Sequence, residues 1–538
     1  MTVRTAPPIN ATIALTATTA AQRAAIAVHR FGLGAPGLPA AALADAPAWL
    51  LAQVGPADAQ IGDVNEALPD AAAGLRRYAE FVRQRRAERE RATLREGLSA
   101  SASASASASA SATATAPPLP LPLPLPLPLP LPLPLPFDDA LRKLVQGDQR
   151  ARLVTAALTP RPFAERLAAF WANHFTVSMA KPTLRGLVGA FEREAIRPHI
   201  AGRFEDLLRA AVTHPAMLRY LDNEQSAGPQ SALVLRLARR AERSAGGMNA
   251  ESNAAPRITG LNENLAREVL ELHTLGAAAA REGLYTQADV TSFAALLTGW
   301  RVPVAAYAAS AGEDRALSES PTRFDAAWHQ PGEKRVLGRS YPEGQAALAQ
   351  VLHDLARHPA TARFVCTKLA RHFVADQPPA ALVERLAEAW RGSDGDLPTV
   401  YAALVGAPQA WQAAAAKLKS PEEWVVASVR LLGLGRVAFM RQADGGCGVL
   451  GQRLQAAPSP AGWPDTADEW LGPEAVWKRV EWATRLAERI GPQVDARALA
   501  EASLGPLLTP ATATQIARAA DAPQALALLL LSPELQRR

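Results

Sequence analysis

Gly260-Leu261-Asn262-Glu263-Asn264-Leu265-Ala266-Arg267-Glu268-Val269-Leu270-Glu271-Leu272-His273-Thr274-Leu275-Gly276 is the stretch on which the reading of the fold turns. Asn262 is suited to an N-cap and Gly276 to a C-cap, so the segment predicts one short, well-punctuated helix. At ~100° per residue, Glu263, Asn264, Arg267, Glu268 and Glu271 share a sector of roughly 140°. Leu265, Val269, Leu270, Leu272 and His273 fall on the opposite side. Glu263, Arg267 and Glu271 are four apart and can pair along the surface for a few tenths of a kcal/mol each. His273 lies on the apolar face and reads as a hydrogen-bonded core histidine. The Glu271-x-His273 spacing does not match the three-residue spacing of a ferritin-like di-iron site, and no metal is expected.

The same periodicity recurs along the chain, for example in Leu167, Phe170, Trp171 and His174, or in Leu369, His372 and Phe373. Pro162, Pro215, Pro359 and Pro421 each stand where a helix can begin, since proline is tolerated in the first turn. Strand patterning is confined to a short piece near Arg335 to Leu337. The expected fold class is all-α: a large multi-helical body with a disordered Ser-Ala/Leu-Pro insertion. Residues 1–98 form the N-terminal helical part, 99–136 the low-complexity insertion, and 137–538 the main helical body of the same domain. Within Pro117–Pro136 every second residue lacks a backbone donor, which leaves polyproline II and a spacer or loose-loop role. A second irregular segment, Gly246–Thr259, reads as a surface loop.

Composition excludes several function classes. Lys and Arg number 57 against 51 Asp and Glu, without a long basic run, so nucleic acid is not an expected ligand. Arg236, Arg239, Arg240 and Arg243 cluster locally and read as a solvated helix end. Cys366 and Cys447 are too few for a disulfide framework or a Cys-rich metal site. Apolar runs such as Ala525–Leu531 are too short to span a bilayer, and the opening residues lack the pattern of an export signal, so a cytoplasmic location is expected, with a periplasmic one as the alternative. Gly32-Leu33-Gly34-Ala35-Pro36-Gly37 spells a dinucleotide fingerprint, but a helical pattern precedes it and Pro36 interrupts it. It reads as a glycine-terminated helix and a turn. Ser393-Asp394-Gly395-Asp396 reads as a turn and helix cap rather than a calcium loop. Nothing requires a cofactor.

A second polar constellation is Phe170-Trp171-Ala172-Asn173-His174-Phe175, which closes the helix starting near Pro162. His174 projects with Phe163, Leu167 and Phe170, and an imidazole among bulky apolar groups needs a partner. Glu263 or Glu268 is the expected one. Such a pair is either a structural clamp or an acid–base dyad.

His29-Arg30-Phe31-Gly32-Leu33-Gly34, Trp171-Ala172-Asn173-His174-Phe175, Tyr220-Leu221-Asp222-Asn223, Asn262-Glu263-Asn264-Leu265-Ala266-Arg267-Glu268, Tyr285-Thr286-Gln287-Ala288-Asp289-Val290, Leu297-Thr298-Gly299-Trp300 and Gly462-Trp463-Pro464-Asp465 occur in one order along the chain. In these segments, and across nearly the whole chain from about Ala24 onward, the sequence resembles the bacterial family called domain of unknown function 1800. That resemblance implies no assigned activity. It implies a protein partner from the sulfatase-like family often encoded beside this one, and signature positions at Asp222, Asn223, Asn262, Glu263, Asn264, Arg267 and Asp289. The chain departs from the commoner pattern at Ala172, where the family often has His, which argues against a metal there.

Two functions follow. The favoured one is a helical scaffold or assembly factor acting with that partner. The alternative is a hydrolase-like enzyme acting on a hydroxylated substrate. In it Glu263, Glu268 and His174 are catalytic, and Asn173, Asp222, Asn223, Asn262, Asn264, Arg267, Glu271 and Asp289 form the substrate-binding set.

Overall fold

The computed structural model describes residues 18–62, 67–109, 139–245, 260–302, 321–412 and 415–538. The Leu-Pro repeat and the Gly246–Thr259 segment lie outside these. The described chain is overwhelmingly helical, with two short antiparallel strand pairs.

Proline opens helices where its ring suits the first turn: Pro162–His174, Pro215–Tyr220, Pro359–Phe373 and Pro421–Leu431. The Ser420-Pro421 junction adds a reciprocal cap, with Ser420 accepting from the Glu423 amide and Glu423 accepting from the Ser420 amide. The fingerprint-like glycines follow the helix Ala20–Ile26 and a π turn Ala27–Phe31, with Gly32 at its end. Asp396 caps the helix Leu397–Val405, as its turn predicts. The Ala71–Ser109 helix runs some way into the Ser-Ala tract that the sequence reading assigns to the insertion. Alanine is the strongest helix former, and its alternation with serine does not stop a helix already started.

Near Arg335, β3 (Lys334–Val336) pairs with β4 (Arg339–Tyr341), the turn being made by Leu337 and Gly338, both left-handed. The other pair, β1 (Trp300–Arg301) with β2 (Arg323–Phe324), is too short to leave a periodic trace. No described helix is long and apolar enough to cross a membrane. Cys366 and Cys447 are buried free thiols.

Apolar side chains gather into two clusters. The larger holds Phe31, Phe163, Trp171, Phe204, Phe293, Phe373 and Trp390. The smaller holds Leu33, Leu153, Val154, Trp424, Phe439, Leu486 and Leu530. Burial at ~25 cal/mol per Å² supplies the driving force for both. Between them runs a seam of buried charge, including Asp148, Glu165, Arg166, Glu192, Arg197, Lys417, Lys419 and Arg538.

Candidate functional site

The Asn262–Gly276 segment forms a helix over Asn264–Glu268 that passes into a π turn, Val269–Thr274. Asn262 acts one residue earlier than a regular cap, its Oδ1 accepting the Asn264 amide at 2.9 Å. The π turn also breaks the 100° rule past Val269, so the wheel drawn from sequence holds only for the first half.

On the exposed side, Glu263 accepts from Thr291 Oγ1 at 2.6 Å and from Gln287 Nε2 at 2.7 Å, and pairs with Arg267 at 3.2 Å. These contacts, the Thr291 hydroxyl first, hold its carboxyl below the usual range. Asn264 is exposed beside them. Glu268 is half-buried, and burial, reinforced by Glu271, raises its pKa. Asp289 caps its own helix through Thr286 and accepts the Leu337 amide at 2.8 Å, pinning the hairpin turn. Asp222, left-handed at φ 58°, pairs with Lys181 at 2.6 Å, while the same ammonium donates to the Arg219 and Tyr220 carbonyls. Asn223 is buried and donates to the Leu297 and Trp300 carbonyls.

His174 meets neither Glu263 nor Glu268. Its Nε2 donates to the His273 carbonyl at 3.1 Å, a ligation by backbone that needs no carboxylate. Burial first, then the nearby Lys368 ammonium, pushes the His174 pKa well down, so the ring is neutral. His273 is buried in the core, as its place on the apolar face predicts, but among the described residues its Nδ1 has no hydrogen-bond partner; burial lowers it to about 3. Asn173 turns away from this pair. Its amide donates to the Trp463 carbonyl at 2.9 Å and accepts the Trp463 amide at 2.8 Å, fastening the Gly462-Trp463-Pro464-Asp465 loop to the end of the Pro162–His174 helix. Gly462, at φ 87°, is required there: a Cβ would stand 2.5 Å from the Asn173 carbonyl oxygen.

That loop walls a polar cavity in the seam between the two cores, with a volume of about 120 Å³. Its lining includes Arg166, His372, Glu423, Gln455, Trp463 and Asp465. His372, in the last turn of Pro359–Phe373, is bonded through Nδ1 to Asp465 at 3.0 Å and through Nε2 to Arg166 at 3.1 Å. An ionised aspartate can only accept, so the His372 proton resides on Nδ1 and Nε2 carries the lone pair. Burial would raise Asp465, but His372 and Lys417 overcome it and hold the carboxyl well below the usual range. Burial lowers His372 in turn, against the pull of Asp465, and keeps the imidazole neutral.

Glu423 accepts from Arg166 at 3.0 Å and from Arg538 at 2.8 Å. Burial alone would raise its carboxyl; Arg538 and Arg166 hold it at about 2. Deeper in the seam, Arg152 joins Glu192 and Glu422 at 2.5 Å each, and Arg197 joins Glu165 at 2.6 Å. Among the described residues, three buried donors at the cavity are without partners: Arg166 Nε, Gln455 Nε2 and Trp463 Nε1. Gln455 is also left-handed, at φ 55°, a strained state for a residue other than glycine.

An outer groove of about 390 Å³ lies across the same loop and shares Asn173, His372, Trp463, Pro464 and Asp465 with the cavity. Among the described residues no cluster of three or more His, Cys, Asp or Glu side chains is placed to hold a metal.

Of the sequence-nominated residues, the structure sets Glu263 and Arg267 together at the surface, places Asn173 at the cavity and the groove, and His174 at the groove. Sequence reasoning passed over Arg166, His372, Glu423 and Gln455. A signal existed for the first: Glu165 and Arg166 stand side by side within the otherwise apolar Phe163–Phe170 face. A fully apolar surrounding demands partners for both.

The family model described as "Protein of unknown function (DUF1800)" matches residues 26–537. The chain belongs to this family. No curated protein and no solved structure matches it. For a DUF1800 chain, the segments that carry the resemblance are thus largely structural fasteners: Asp289 on a hairpin, Asp222 on a turn, Asn173 on a loop.

Proposed function

We propose that this DUF1800 protein binds a small, uncharged, hydroxylated ligand in the seam cavity and acts on it in a hydrolase-like way, with His372 as general base. The observation that carries this is the neutral, aspartate-backed imidazole set in the wall of a cavity that also presents unpartnered donors. A positioned histidine of this kind is the commonest general base. The scaffold reading, in which the same network only holds helices together, has no use for the strain at Gln455 or for the unpartnered amide beside it.

Charge selects the ligand class. Arg152 and Arg166 face Glu165, Glu192, Glu422, Glu423 and Asp465 around the cavity, and Arg197, Arg538 and Lys417 neutralise the excess from behind. A multiply anionic ligand would confront the carboxylates, whereas hydroxyl groups can donate to them and accept from Gln455, Trp463 and Arg166. Ser420 is engaged in its helix cap and Thr176 donates to the Asn173 carbonyl, so water is the nucleophile this site offers. To activate it, His372 Nε2 must exchange its bond from Arg166 for one from the water. The released guanidinium then faces the charge that develops on the reacting group.

Thermal-shift titration with a panel of polyols and monosaccharides tests the reading, using the wild type, His372→Asn and Gln455→Gly. Glycine relieves the left-handed strain, so Gln455→Gly is expected to raise the apo melting temperature while losing the ligand shift. No saturable shift with any member of the panel, or a shift that survives both substitutions unchanged, would overturn the proposal. The network would then be left with a scaffold role, in which the chain acts with a sulfatase-like partner.

A further inference from the structure

The outer groove holds a lysine unlike the others in the chain. Lys181, Lys417 and Lys478 are paired with carboxylates, and Lys334 and Lys419 donate to backbone carbonyls. Lys143 is exposed. Lys368 is half-buried, lines the groove, and has no carboxylate within 4 Å among the described residues; its Nζ stands over the Phe364 ring, 5.7 Å from the centroid. His174 packs against the same ring, with centroids 6.4 Å apart, and also lines the groove. Because its Nε2–H is donated to the His273 carbonyl, His174 presents an unpartnered Nδ1 lone pair, and the residue is 1 % exposed. Arg371, one turn along from Lys368, completes the cationic wall.

We propose that Lys368 is the nucleophile of a second site, forming an imine with a small carbonyl compound that carries an acidic group, such as a 2-oxo acid or an aldehydic acid. The inference stands on the groove and does not depend on the cavity behind it. The neutral amine attacks the carbonyl carbon, forming a C–N bond as the C=O pair moves to oxygen. Proton transfer from nitrogen to that oxygen gives the carbinolamine. Its hydroxyl is oriented by donating to His174 Nδ1, then takes up the proton remaining on the nitrogen and departs as water as the C=N bond forms; no oxidant or reductant is needed. Arg371 meets the acidic group of the substrate.

The electrostatics agree. Burial, against the pull of Asp465 and with a further push from Arg371, brings the Lys368 ammonium down to about 8, so a useful fraction is free base near neutrality. The groups facing it are Asp465, Arg371, His174 and His273, and both histidines are neutral.

Reductive trapping tests this. The full chain is incubated with glyoxylate and cyanoborohydride across about pH 6 to 9, and modified lysines are mapped by peptide mass. Lys368 should be modified about tenfold faster than the exposed Lys143, with a rate that climbs through about pH 8. Lys368→Arg should lose that product and keep the wild-type melting temperature, and propanal, lacking the acid, should react more slowly at Lys368. Gln455→Gly should leave the trapping intact, which separates this site from the cavity. Equal rates at Lys368 and Lys143, or no preference for glyoxylate over propanal, would overturn the proposal.

Discussion

Two polar regions of this molecule use similar side chains to opposite ends. The Glu263–Arg267 face, with Gln287 and Thr291, is an ion pair and its hydrogen bonds laid across two helices at the surface. The Arg166–Glu423–Arg538 centre, with His372 and Asp465, is enclosed between two apolar cores. At the surface, water substitutes for any partner that is lost. In the seam it cannot, so the charges there are bound to counter-ions or, as at Lys419, to backbone carbonyls, and the group as a whole is fixed in place. A site meant to tune an imidazole benefits from the second environment, where fields are less screened.

The sharpest way to break the comparison is Glu423→Gln. It leaves Arg166 and Arg538 buried without their anion and should destabilise the protein by about 3–5 kcal/mol in urea unfolding. A loss below 1 kcal/mol would show the seam to be as forgiving as the surface. Acidification probes the same enclosure. Burial first, then Lys419, lowers His29 to about 4, while the Ser503 carbonyl opposes them. Between about pH 6.5 and 4 the unfolded chain binds the extra proton, so stability falls as pH drops through that window, by about 3 kcal/mol from this residue. His29→Gln, which keeps a donor for Ser503, should flatten the slope of unfolding midpoint against pH there. Asn173→Ala comes next: it strands the Trp463 amide and carbonyl, and should cost about 1–3 kcal/mol in thermal unfolding.

Much of the fold is readable from the sequence because its signals are local. Pro162, Pro359 and Pro421 mark helix starts, and Arg335 marks a hairpin. The candidate site is less readable, since its contacts are distant: Arg166 finds Glu423 and Asn173 finds Trp463 across more than 250 positions. A helical wheel tells which face of Pro162–His174 is apolar, but not that Glu423 will arrive there to neutralise Arg166. Glu423 itself reads as an ordinary capping acid after Ser420, a role it also fills. The Asn262–Gly276 segment misleads in a different way. Its charged face is conspicuous because Glu263, Asn264 and Arg267 stay at the surface, and its π turn moves Glu271 and His273 off the regular wheel.

The smallest expected effect is the most discriminating for that segment. Glu263→Gln keeps an acceptor for Thr291 and Gln287 while removing the charge that pairs with Arg267, an arginine whose side chain is 42 % exposed. Surface pairs of this kind are worth between 0 and ~1 kcal/mol, and high salt screens them. The substitution should therefore shift stability by less than ~0.5 kcal/mol, and the shift should vanish in high salt. It should also leave untouched any ligand shift measured at the seam cavity, because no bond links Glu263 to the cavity wall among the described residues. A larger loss that persists in salt would mean that Glu263 is held by something covering this face. The surface region would then have to be counted, with the seam, among the enclosed ones.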